Sequence, residues 1–111
     1  MILLKIYANW CPHCIIMQND WNVLKKMLPK YVDVVEIEHS EIDKLTEFNK
    51  KHRKRVVANG YPTIAKVEKN KVHYYNGPRD HKNMMAWVMQ KSQKNTRRKQ
   101  SRKRRTQKRK N

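Results

Sequence analysis

Six apolar, β-prone residues, "ILLKIY" at 2–7, pass through "NWCPHC" at 9–14 into a stripe of Met17, Trp21, Leu24 and Leu28 at helical spacing. A short buried strand that turns straight into an amphipathic helix leaves few architectures open. The next strand must lie parallel to the first, joined by a right-handed crossover, and the helix must cover one face of the sheet. Pro12 suits the first turn of that helix, where its missing N–H is not needed, and Pro29 stops it. Both cysteines of the chain sit at the junction.

The remainder can be read the same way. "YVDVVEIE", 31–38, is a Val-rich strand. Ser40 is placed to cap a second helix from Glu41, with acids in its first turn and Lys50, Lys51 and Arg53 in its last. The buried stripe of that helix is Ile42, Leu45 and Phe48. "ANGYP", 58–62, is turn chemistry, and "TIAKVEK" and "KVHYYN" form a hairpin around Asn70. After the loop "NGPRD", Asp80 caps a last helix holding Met84, Met85, Trp87 and Val88. The predicted order is β-α-β-α-β-β-α, an α/β fold with a mixed four-stranded sheet and no internal repeat.

Charge divides the chain in two. Of 27 Lys and Arg against 9 acids, twelve fall in residues 91–111, which carry no acid and no aliphatic or aromatic side chain. Residues 1–90 are expected to be one domain. Residues 91–111 bury nothing to offset their ordering entropy and are expected to be disordered until a polyanion arrives. "MILLKI" is interrupted by Lys5 and lacks the length and flanks of a signal peptide or membrane span. An intracellular, reducing setting is expected, with a virus particle as a further setting for so basic a chain; there a cycling disulfide is more plausible than a structural one.

Two thiols three positions apart cannot staple a fold, but they can exchange disulfides. Cys11 at a helix start meets free N–H groups and the positive dipole end, which favour thiolate. Cys14, one turn on and deeper, can resolve a mixed disulfide on Cys11. His13 between them adds positive charge when protonated. The reading requires the Cys11 sulfur to reach solvent. Two other uses stand beside it: packing as small hydrophobes, and zinc, for which no second Cys or His pair of suitable spacing exists among His13, His39, His52, His73 and His81.

Four pieces, "IYANWCPHC", "GYPTI", "YYNGPRD" and the final helix with Trp87, together resemble the thioredoxin-fold superfamily, and within it the catalytic domain of protein disulfide isomerases. The resemblance spans roughly residues 1–90. It implies a minimal thioredoxin-like fold and a thiol–disulfide oxidoreductase acting on protein thiols and disulfides through a redox-active Cys11–Cys14 disulfide, with no other cofactor and no metal. It implies a cis bond before Pro62, substrate contacts from Trp10, Pro12 and Tyr61, and an Arg79 that reaches toward the second cysteine. Three departures stand out. The first strand and helix of thioredoxin are missing. The dipeptide between the cysteines is similar to that of the bacterial periplasmic oxidant, which implies an oxidising poise. Lys5 replaces the buried acid that normally lies six residues before the first cysteine. "NGPRD" is a partial echo of the glutaredoxin segment, so glutathione-linked chemistry ranks lower.

The tail cations Arg97, Arg98, Lys99, Arg102, Lys103, Arg104, Arg105, Lys108, Arg109 and Lys110 have no interleaved aromatics, so they offer counterion release without base readout. Nucleic acid is the expected partner; targeting, protein docking, an anionic membrane and simple solubilisation are the alternatives. A non-catalytic basic packaging protein on the same scaffold is the competing function.

Overall fold

The computed structural model describes residues 1–90. The tail, with its expected disorder and the ten cations named above, lies outside the described residues. Strands β1 (Ile2–Tyr7), β2 (Asp33–Glu38), β3 (Thr63–Val67) and β4 (Val72–Tyr74) form one sheet in the order β2-β1-β3-β4. β1 runs parallel to β2 and antiparallel to β3, and β3 pairs antiparallel with β4. Helices α1 (Pro12–Met27), α2 (Asp43–His52) and α3 (His81–Met89) complete the order the sequence implied.

β1 is one of the two interior strands, and its alternate side chains serve two cores. Leu3 joins Met17, Trp21, Leu24, Ile64, Met84 and Val88 on the side covered by α1 and α3. Leu4 and Ile6 join Ile37, Leu45, Phe48, Val56 and Val67 on the side covered by α2. α1 ends before Pro29, with Leu28 extended at φ −69° and ψ 142°, as the ring of a following proline requires. Asp80 caps α3 through the Asn83 amide. The hairpin closes where Glu68 N donates to Lys71 O at 2.9 Å.

Three local expectations are corrected. Ser40 does not cap the second helix. The Glu38 carboxylate, at the end of β2, accepts the Ser40 amide at 2.9 Å and binds its hydroxyl as well. A single 3-10 turn over His39–Glu41 results, and α2 begins only at Asp43, with no side-chain cap. Second, β2 starts at Asp33 rather than Tyr31, because Val32 N turns back to Pro29 O. Third, Ile42 lies just before α2 and is exposed rather than part of its buried stripe. On α3, Trp87 is half-buried, packed at a tilt against Tyr75 and lying over the buried Lys66, whose Nζ donates to Trp87 O at 2.9 Å and to Gln90 O at 3.1 Å. A lysine inside β3 thereby satisfies the carbonyls that α3 leaves open.

Candidate active site

α1 begins where Cys11 N donates to Ala8 O at 3.1 Å and turns the chain. Cys11 is the residue that caps the helix, with extended backbone (φ −84°, ψ 118°), and Pro12 follows at the first helical position. Cys11 Sγ accepts the Cys14 amide at 3.2 Å. That N–H is one of the donors an α-helix cannot satisfy internally. Negative charge on this sulfur would be met by both the amide and the dipole. The Cys11 thiol also donates to Tyr61 O at 3.4 Å. The Tyr61–Pro62 peptide is cis, as the resemblance implied.

Cys14 is 4% exposed and its thiol is pushed up to about 11. Burial is the main cause, and the hydrogen bond and charge of Cys11 push the same way; the Ala8 backbone and the Lys5 charge oppose them. Two of the upward influences therefore come from Cys11 itself. They disappear once Cys11 is bonded to another sulfur, so Cys14 becomes easier to ionise when its attack is needed.

Lys5 is 1% exposed and lies against α1. Its Nζ donates to Gln18 Oε1 at 3.2 Å, stands 3.7 Å from Glu36 Oε1, and sits 4.5 Å and 4.9 Å from the ring centres of Tyr7 and Trp21. Burial lowers its pKa, against the pull of Glu36. Burial alone would raise Glu36, but Lys25 at 3.0 Å, Lys5 and the Trp21 indole at 3.1 Å outweigh it and leave the carboxyl lowered. Lys5 pairs with Glu36 across β1 and β2. An acid is thus present on the neighbouring strand, paired with the lysine whose charge lowers Cys14.

The thioredoxin family model matches residues 1–90. The chain belongs to the thioredoxin family. Similar curated proteins include protein disulfide-isomerase A4 of Bos taurus, 29% identical over 92 residues, with 83% of this chain and 14% of that protein covered. Protein disulfide-isomerase 1 of Caenorhabditis elegans is 32% identical over 82% of this chain and 18% of its own length. A thioredoxin domain-containing protein of Theileria parva is 34% identical over 66% of this chain and 30% of its own length. The chain therefore spans less than a third of each of these relatives. Among solved structures, the J-Trx1 fragment of ERdj5 superimposes with a TM-score of 0.64 at 18% identity, covering 79% of this chain and 41% of that one. The first thioredoxin domain of mouse protein disulfide-isomerase A4 gives 0.58 at 21% identity, covering 89% and 72%. These two share the fold.

In this thioredoxin-family domain the remaining candidate residues surround the cysteines unequally. Trp10 is 64% exposed and Tyr61 half-buried, the latter packed on the Ala8, Cys11 and Cys14 cluster. His13 is exposed and lines a cavity of about 240 Å³ with Ile16, Asp20, Arg79 and Asp80. Arg79 also lines a second cavity, about 420 Å³, beside Tyr61, Pro62 and Tyr75. It forms no hydrogen bond or ion pair among the described residues, and so is not engaged with Cys14. No cluster of three or more potential metal ligands occurs among the described residues, and no helix there is long and apolar enough to cross a membrane.

One requirement of the sequence reading is not met. Cys11 is only 3% exposed. The residue capping α1 is folded back under the loop before β3, with Tyr61 against it.

Sequence reasoning also missed Glu38 and His39. Glu38 accepts the Asn9 amide at 3.0 Å, tying the end of β2 to the turn that carries Trp10 and Cys11. The Ser40 hydroxyl, then the Asn9 and Ser40 amides, hold its carboxyl at about 2 against an ordinary 4.5. Its stabilising effect is complete above the unfolded value and is lost as the pH falls through 4.5 toward 2. Glu38→Gln should flatten the loss of urea stability in that window and leave the slope above pH 5 unchanged. Identical acid limbs in the two proteins would show that the tether carries no stability.

Proposed function

We propose that this domain is a thiol–disulfide oxidoreductase acting on protein thiols and disulfides, with Cys11 as attacking sulfur and Cys14 as resolving sulfur. The observation that carries the reading is the capping geometry: Cys11 Sγ accepts the Cys14 amide, one of those left free at the start of α1, and Cys14 stands one turn below it. The burial of Cys11 weighs against the reading as the sequence framed it. The cover, however, includes the half-buried Tyr61, a side chain able to move on the timescale of rotamer changes.

In the reductive direction the Cys11 thiolate attacks one sulfur of a substrate disulfide, forms Cys11–S–S–R, and expels the other sulfur as a thiolate that takes up a proton. Cys14 then loses its proton and attacks Cys11 Sγ. The Cys11–Cys14 disulfide forms and R–S⁻ leaves, two electrons having passed to the substrate. Oxidation of a substrate dithiol is the same path reversed. The Lys5 charge favours the Cys14 thiolate, which stabilises the dithiol form and moves the couple in the oxidising direction. Arg79, and His13 when protonated, line one cavity beside the start of α1 and would hold the leaving thiolate. Trp10, Pro12 and Tyr61 would contact the substrate backbone and side chains.

The decisive assay is recovery of activity from a scrambled disulfide substrate. Turnover is expected in the native chain and should fall to the Cys11→Ser background when that sulfur is removed. Equal rates in the two would exclude the reading.

The tail from Lys91 onward is proposed as a tether to nucleic acid. Twelve cations should give DNA binding whose affinity falls steeply with salt, and removal of residues 91–111 should abolish most of that slope.

A further inference from the structure

Three aromatic rings from three separate parts of the chain meet at the edge of the cysteine site. Trp10 comes from the turn before α1, His39 from the 3-10 turn after β2, and Tyr61 from the loop before β3. Their ring centres are 5.6 Å apart for Trp10–His39, 5.8 Å for Trp10–Tyr61 and 5.5 Å for His39–Tyr61. All three pairs are edge-to-face, with interplanar angles of 77°, 83° and 74°. Such pairs are favourable beyond the area they bury, so the three rings close into a triangle that holds itself together.

The triangle is fastened at two points. His39 Nδ1 lies 2.9 Å from the Tyr61 hydroxyl. Glu38, the residue before His39, holds the Asn9 amide, the residue before Trp10. Below the triangle, Tyr61 packs on the Ala8–Cys11–Cys14 cluster, and its carbonyl accepts the Cys11 thiol. An exposed histidine that belongs to neither core therefore connects, through one side chain, to the sulfur that must react.

We propose that His39 is a positioning residue of the redox site: by holding the Tyr61 hydroxyl it keeps the Trp10–His39–Tyr61 rim closed over Cys11 and so sets how readily a reagent reaches that sulfur. This explains why a nucleophile can be 3% exposed. In the closed arrangement Cys11 is shielded, and reaction draws on the fraction of molecules in which Tyr61 has moved aside. The rim would admit an extended peptide disulfide, whose own contacts replace the ring–ring contacts it breaks, more readily than small thiols, which replace none. The inference rests on Cys11 being the attacking sulfur, but its test uses no disulfide substrate and can succeed or fail apart from the proposed activity.

The test is alkylation of Cys11 in the full chain carrying Cys14→Ser, so that one thiol is counted. Iodoacetamide and a bulkier maleimide are compared across pH, and plateau rates are read. His39→Phe keeps a ring in the triangle and removes its hydrogen bond; Tyr61→Phe removes the same bond from the other side. Each should raise the plateau rate about three- to tenfold, the population change that loss of one net hydrogen bond produces. The gain should be larger for the maleimide than for iodoacetamide. The double variant should gain no more than either single one, because both remove one interaction. Thermal melts of all four proteins identify any variant that has lost its fold; His39→Gln, which keeps a polar partner for Tyr61, should restore part of the protection. Rates within twofold of the parent, equal gains for both reagents, or gains that multiply in the double variant would overturn the proposal.

Discussion

Replacing Cys14 with serine should convert the protein into a trap. With the attacking sulfur intact and the resolving one gone, each encounter with a protein disulfide stops at Cys11–S–S–R, and the complex should persist through non-reducing electrophoresis. Cys11→Ser should leave no such complex, although Cys14 is still present. The asymmetry follows from the environments of the two sulfurs. Cys11 accepts the amide at the start of α1, whereas Cys14 is buried one turn deeper and held up at about 11. Replacing Cys11 removes two of the influences that raise Cys14, but burial, the largest of them, remains, so the Cys14 thiol stays mostly protonated and shielded at neutral pH. The expected contrast in trapped complex is at least a hundredfold, measured by mass spectrometry of the disulfide-linked products. Equal trapping by both variants would mean that the helix start does not select the nucleophile.

The second large effect concerns Lys5. Lys5→Met keeps the length and apolar stem while removing the buried cation. The amine has a folded pKa below its unfolded one, so its charge costs stability wherever the unfolded chain is protonated. That cost is relieved only as the pH rises through the folded value toward 10.5. Lys5→Met should therefore be more stable than the parent by about 1 kcal/mol or more at pH 7, since Glu36 retains Lys25 and the Trp21 indole. The advantage should shrink as the pH approaches 10. Function should move the opposite way. Loss of the charge that lowers Cys14 raises that thiol further; each unit cuts the thiolate fraction tenfold, but the remaining thiolate is the better nucleophile, so the resolving step slows about three- to fourfold and the couple becomes less oxidising. Urea titrations and the lifetime of the mixed disulfide read the two sides separately. A destabilised variant that resolves mixed disulfides at the parental rate would remove Lys5 from the site.

Most of the fold was legible because it was written in local patterns. The period of 3.6 in Met17, Trp21 and Leu24, the stop at Pro29, the cap at Asp80 and the turn at Asn70 each depend on residues within a few positions of one another. Position alone placed Cys11 at the start of α1. What was not legible joins distant segments. Glu38 reaches Asn9 across 29 positions, and His39 meets Tyr61 across 22. The same carboxylate captured Ser40, so the expected cap became one turn of 3-10 helix. Lys5 and Lys66 broke apolar strand patterns at which a polar residue is usually exposed. Each proved buried because an acceptor was supplied from elsewhere, Gln18 and Glu36 for one and the end of α3 for the other. The burial of Cys11 has the same origin, since Tyr61 arrives from fifty residues away.

The most direct measurement is the reduction potential of the full chain, obtained by equilibrating it in glutathione buffers and counting alkylatable thiols by mass. Both thiols should disappear together in a single two-electron step, at a potential nearer the roughly −120 mV of the strongest dithiol oxidants than the roughly −270 mV of thioredoxin. Two thiols that titrate independently, or that remain alkylatable in fully oxidised buffer, would show that Cys11 and Cys14 are not a redox pair.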